Sequence, residues 1–294
     1  MVAAIWGLNF VVVKSALGVL APLGFNAMRH LVASGFMLVV LLASGGVGRP
    51  EREDWPRIVG MGVLGIICYQ MAFMFGLDRT RAGNASLMLA LAPIFVLLFG
   101  GRSGEGGVRA WLGVILSVLG IAIVSWNTFS LTGGSTLIGD LILIGAAAIW
   151  ALYTIGSKPL ISRYGPIRAT VWPLWIGSIG VVLAGVPALV RQDWSVVGPA
   201  AWGGVLYSAC FAIGIAYLLW YRGVERVGGA RTAVFSNLAP VVAIAAGAVW
   251  LGEAFTIHSL AGALLVIGGL ILVPSGGTGE DAPADQYAPA GSAR

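Results

Sequence analysis

Long apolar runs alternate with short polar breaks along most of the 294-residue chain. Runs of about 18 or more apolar residues are long enough to cross a bilayer as a helix. The ten-residue alternating segments of a transmembrane β-barrel are not seen. The pattern predicts ten helical spans, at 2–18, 23–45, 57–77, 82–100, 110–127, 138–157, 167–190, 200–221, 230–251 and 259–273. Residues 274–294, beyond the last span, are rich in Gly, Ala, Pro, Asp and Ser; this composition cannot bury a core and predicts a disordered cytoplasmic tail.

The pattern is written twice. Gly76-Leu-Asp-Arg79, running on to Leu91-Ala-Pro93, recurs 147 positions later as Gly223-Val-Glu-Arg226, running on to Leu238-Ala-Pro240. At an offset of 144, Trp6 matches Trp150, Lys14 matches Lys158 and Pro22 matches Pro166. At 149, Gly113 matches Gly262 and Gly120 matches Gly269. The repeats occupy 1–127 and 138–273, with five spans each. Five is odd, so the second repeat enters the membrane upside down relative to the first. The predicted architecture is an all-α membrane protein: ten transmembrane helices in two inverted five-helix repeats around a central cavity. Inverted repeats place a substrate site near the midplane where the halves meet. With the N-terminus inside, eleven Lys and Arg flank the inner ends of the spans against five at the outer ends. That bias favours both termini in the cytoplasm, in a bacterial-type inner (plasma) membrane.

Composition narrows the function classes. Only 10% of residues are charged, whereas soluble domains run near a quarter, and the mean hydropathy is +0.92. The net charge of +5 comes from single arginines at span ends, so it is no nucleic-acid signal. Trp55, Trp111, Trp126 and Trp194 at span ends fit an interfacial belt. Cys68 and Cys210 lie apart in different apolar runs and indicate neither a disulfide framework nor a metal site. Met1-Val-Ala-Ala runs into apolar sequence without a basic n-region, so no secretory signal is expected. Nucleotide loops, zinc signatures, nucleophile elbows and paired catalytic carboxylates are not found. The inner loops are too short for a soluble catalytic module. The chain therefore reads as neither an enzyme nor a cofactor or metal protein; a polytopic membrane enzyme is the weaker alternative.

Candidate functional residues are the polar, aromatic and proline positions inside spans. Pro93 and Pro240 each remove a backbone hydrogen bond and kink their helix, freeing the carbonyls of Leu89 and Ser236. They are the predicted hinges. Intramembrane amides and phenols need partners, which a wet cavity supplies. Trp6, Asn9, Tyr69, Phe73, Asn84, Tyr153, Trp172, Trp175, Tyr217 and Asn237 are the predicted substrate-binding set, with Gln70, Ser86 and Ser236 among their polar neighbours. Tyr69 and Phe73 share one helix face. Asp78, Asp140, Glu225 and Glu253 all lie near span ends. Ion-driven carriers place carboxylates deep in the membrane, so the pattern favours facilitated transport of a solute with little net charge; proton-coupled export is the alternative. Lys14 and Arg29, at the outer ends of the first two spans, are expected to snorkel to the interface, attraction of an anionic group being the alternative. Small residues on spans five and ten suit close helix contact, in a monomer or a weak homodimer.

Trp6-Gly-Leu-Asn-Phe10, Lys14, Pro22, Arg29 and the twin Leu-Ala-Pro steps together resemble the EamA family of the drug/metabolite transporter superfamily over residues 1–273. In the second copy Tyr153 stands in place of the Asn, and Pro173 in place of Arg29. The resemblance implies a ten-helix basket with a central cavity that exports small metabolites. YddG-type amino-acid exporters look the most similar branch, which implies amino acids, aromatic ones included, as substrates.

Overall fold

The computed structural model describes residues 1–46, 48–80, 82–100, 107–124, 134–242 and 257–272. Within these, every regular element is helical. The elements are α1 (Val2–Ala16), α2 (Pro22–Ala43), α3 (Trp55–Met61), α4 (Tyr69–Arg79), α5 (Ala82–Leu89), α6 (Ala92–Gly100), α7 (Val108–Val124) and α8 (Gly134–Gly156). They continue as α9 (Lys158–Arg191), α10 (Pro199–Tyr207), α11 (Ala216–Val227), α12 (Gly229–Phe235), α13 (238–242 as described) and α14 (Ile257–Leu272). Five helical stretches are long and apolar enough to cross a membrane: Pro22–Ala43, Arg52–Arg79, Leu137–Gly156, Lys158–Arg191 and Pro199–Val227. Outward-facing Leu and Val, such as Leu31, Leu183 and Val190, suit the lipid contact expected of such helices.

Prolines and glycines place the breaks. Pro22 and Pro199 sit in the first turns of α2 and α10, where a missing N–H is harmless. Within α9, Gly165 adopts φ +75° just ahead of Pro166, a left-handed conformation that glycine alone takes without strain. It parts a short amphipathic piece from the membrane-length run that follows, whose start near 167 the hydropathy pattern predicts. Gly228, at φ +83°, does the same between α11 and α12.

Two features depart from plain helices, and each occurs at matching repeat positions. Gly62–Cys68 and Ser208–Ile215 are π-helical, joining α3 to α4 and α10 to α11. Each proline span is also broken rather than bent. A turn at Ala90–Leu91 separates α5 from α6, and a turn at Ser236–Asn237 separates α12 from α13. The expected free carbonyl of Ser236 is engaged, since the Ala239 N–H donates to it at 2.8 Å. The proline ring displaces the bond into a tighter i→i+3 turn and leaves no orphan there.

Residues made equivalent by the sequence repeat meet one another. Trp6 packs edge-on against Trp150, with centroids 5.5 Å apart. Gln70 Nε2 donates to Tyr217 Oη at 2.9 Å. Ser117 Oγ donates to the Val266 carbonyl at 3.4 Å. Between α7 and α14 the contacts are reciprocal: a Cβ on Gly120 would stand 2.6 Å from the Gly262 carbonyl oxygen, and one on Gly269 2.4 Å from that of Gly113. The pairing of 113 with 269 and of 120 with 262 makes the two helices antiparallel.

Polar ties fasten the loops. At one end, Lys14 Nζ donates to the carbonyls of Leu77 (2.7 Å) and Thr80 (3.0 Å), closing the end of α4. Gln192 bridges to Val19 and Ala21. At the other, Arg163 binds Glu51, Glu53 and Asp54, and Tyr164 Oη donates to Asp54.

Candidate functional site

A cavity of about 770 Å³, counting the part open to solvent, lies between elements of both repeats. From the first repeat, α1 contributes Trp6, Asn9 and Phe10, α2 contributes Arg29, α4 contributes Tyr69, Gln70 and Phe73, and α5 contributes Ser86. From the second, α8 contributes Trp150, the second π stretch Ala212 and Ile213, α11 contributes Tyr217, and the turn into α13 contributes Ser236 and Pro240. The π stretches end immediately before Tyr69-Gln70 and before Ala216-Tyr217. Wide turns at this point set the rotation at which those three side chains reach the cavity.

One wall is aromatic. Trp150 lies 4.9 Å from Tyr69, 5.3 Å from Tyr217 and 5.2 Å from Trp220, centroid to centroid. Trp6 joins the group, and its indole N–H donates to the Ala212 carbonyl at 3.0 Å. Tyr69 stacks on Phe73, which in turn meets Phe10. Such edge and offset contacts contribute about 0.5–1.5 kcal/mol per pair beyond burial, so the wall is stiff.

The opposite feature is a buried charge. Arg29 is 1% exposed. Its guanidinium donates to Asn26 Oδ1 (2.9 Å), Ser208 Oγ (3.1 Å), Gln70 Oε1 (2.5 Å) and Met74 Sδ (3.5 Å). The rings of Phe25 and Phe73 lie within 5.7 Å of its Cζ. Arg29 does not snorkel. It stands seven residues into α2, about 10 Å along the axis at ~1.5 Å per residue, and its acceptors come from α2, α4 and the second π stretch. Desolvating a guanidinium costs several kcal/mol, which these neutral contacts offset in part. Asn9, also in the wall, is 7% exposed, and its Oδ1 has no hydrogen-bond partner.

Of the residues singled out in the sequence, Trp6, Asn9, Tyr69, Phe73, Tyr217 and Pro240 line the cavity. The side chain of Asn84 lies outside the described residues. Tyr153, fully buried, packs behind the wall against Trp150 and Tyr221, where Gly65 leaves it room. Trp172 packs on Tyr164 within α9, and Trp175 donates its N–H to the Ser34 carbonyl of α2; neither lines the cavity. Asn237 is fully buried beside the cavity, with both amide atoms unpartnered, and Pro93 is buried in α6 away from the lining. Arg29 and Trp150 join the site without having been predicted for it. Trp150 had one signal in the sequence, its equivalence to Trp6. No cluster of three or more metal-binding side chains occurs among the described residues.

The chain matches the EamA-like transporter family twice, over residues 1–126 and 137–274. It is 28% identical over 273 residues to an uncharacterized transporter of Archaeoglobus fulgidus, covering 91% of this chain and 94% of the relative. It is 25% identical to the uncharacterized transporter YyaM of Bacillus subtilis, covering 90% and 88% of the two chains. A probable terminal-alkyne amino-acid exporter of Streptantibioticus cattleyicolor is 29% identical over 274 residues, covering 91% and 89%. A solved crystal structure with 18% identity superposes over 92% of this chain and 94% of its own, with a TM-score of 0.76, a likeness of fold.

Proposed function

The chain belongs to the EamA-like transporter family, and from that premise we propose that it exports small neutral or zwitterionic metabolites, amino acids above all, through the cavity between its repeats. The observation that carries this reading is the lining itself: aromatic faces, amides and hydroxyls drawn from both repeats. Aromatic faces accept a flat apolar side chain or an ammonium group, the latter worth about 0.5–2 kcal/mol per ring. The resemblance in sequence to a probable terminal-alkyne amino-acid exporter of S. cattleyicolor supports the same class.

The reciprocal contacts between equivalent residues support two inverted five-helix repeats, at 1–127 and 138–273, related by an axis in the membrane plane. Alternating access then proceeds by rocking one repeat against the other, with the Pro93 and Pro240 turns as hinges and both termini at the cytoplasmic face of the inner membrane. No Asp or Glu is among the lining residues described, which supports facilitated rather than proton-coupled exchange. Counterflow of the labelled twenty amino acids into proteoliposomes tests this reading. Uptake of at least one, insensitive to an imposed pH gradient, is expected. Absence of exchange across the panel would remove the amino-acid assignment, and a steep pH response would replace facilitation with proton coupling.

A further inference from the structure

We propose that Arg29 is the anchor for a substrate carboxylate, so that the cavity selects small monocarboxylates with a flat or apolar body. The proposal rests on reading the cavity as the transport site and adds to it the group that is recognised.

A guanidinium has five N–H donors. The contacts of Arg29 account for four: one on Nε, one on Nη1 and two on Nη2. The second N–H of Nη1 has no partner, and the residue lines the cavity. Every acceptor that holds Arg29 is neutral, and no Asp or Glu among the described residues stands within ion-pair distance. A desolvated cation without a counter-ion is the arrangement that gains most from an incoming carboxylate, whose charge-assisted hydrogen bonds are about twice as strong as neutral ones. The support around it is rigid. Gln70 receives one guanidinium N–H and passes its own amide N–H to Tyr217 on the other repeat, so the free donor is fixed in direction. The unpartnered Oδ1 of Asn9 in the same lining is an acceptor, suited to the ammonium of an amino acid rather than to its carboxylate. The rings of Tyr69 and Trp150, in contact with each other, present one aromatic wall to the space a substrate body would fill.

The test is competition against counterflow of the best labelled amino acid from the panel, using its own carboxamide as competitor. The expected result for the wild-type protein is that the amide competes at least about ten-fold more weakly than the acid. Arg29→Gln is expected to abolish that preference while keeping a sharp melting transition in detergent; Arg29→Lys is expected to keep the preference with weaker affinity, as a point charge without the fork geometry. Equal competition by acid and amide, or an undiminished preference in Arg29→Gln, would overturn the anchor while leaving transport standing. If Arg29→Gln does not fold, the wild-type comparison decides alone. If no amino acid exchanges at all, the amino-acid assignment fails, and the anchor fails with it.

Discussion

The hydroxyl of Tyr217 joins the two repeats at the centre of the cavity, accepting from Gln70, which in turn holds Arg29. Tyr217→Phe keeps the ring in the aromatic wall and removes only that acceptor. A hydrogen bond of this kind is worth about 0.5–1.5 kcal/mol. Exchange by the variant is therefore expected to fall by about 2- to 10-fold, with the folded yield unchanged; wild-type exchange would show that the Gln70 contact is idle. Why some of these residues were legible and others not is physical. Trp6, Asn9, Tyr69, Phe73 and Tyr217 stood out because amides and aromatics deep in an apolar run need partners. Trp172 and Trp175 have the same character but turn toward Tyr164 and Ser34, and which way a helix faces depends on neighbours far along the chain. Arg29 read as an interfacial cation because a charge near a span end has water within reach. Its burial depends on Gln70 and on Ser208, 179 positions away, which no local pattern couples to it.

At the scale of elements, apolar run length located the helices well, because crossing a bilayer sets a length that composition cannot hide. Within the described residues the predicted runs are largely helical, with turns at Ala90–Leu91 and Ser236–Asn237, and five helical stretches are long and apolar enough to cross a membrane. The π stretches were not legible: an extra residue in a turn leaves no mark on an all-apolar run such as Gly62–Cys68. The proline spans were half legible, since Leu-Ala-Pro announced a disturbance but not that the helix breaks into two. This bears on mechanism. A helix interrupted at Ala90–Leu91 and at Ser236–Asn237 has lost part of its backbone ladder there, the local condition that the proposed hinge role requires. Pro93→Ala and Pro240→Ala restore an N–H that favours one continuous helix. Both are expected to slow exchange several-fold while the purified protein stays monodisperse. Unaltered rates in both would make the prolines packing features.

For the whole molecule, the sequence repeat held the most information, because residues equivalent in the repeat meet one another, as the proposed two-fold relation requires. Trp6 with Trp150, Gln70 with Tyr217 and Ser117 with Val266 are such pairs. The side of the membrane each loop faces rests on the Lys and Arg bias and can be read by labelling. In a Cys68→Ala, Cys210→Ala background, an impermeant maleimide applied to intact spheroplasts is expected to label Ser195→Cys and spare Ser44→Cys. The reverse pattern would invert the assigned orientation. Solute is proposed to pass through the cavity between the repeats, and counterflow by the wild-type protein beside a variant with that space filled, Ala212→Phe, tests this route. Amino-acid exchange by the wild type is expected, with its loss in a filled variant that retains its melting temperature. Equal exchange by the two proteins would place the pathway elsewhere and contradict the proposal.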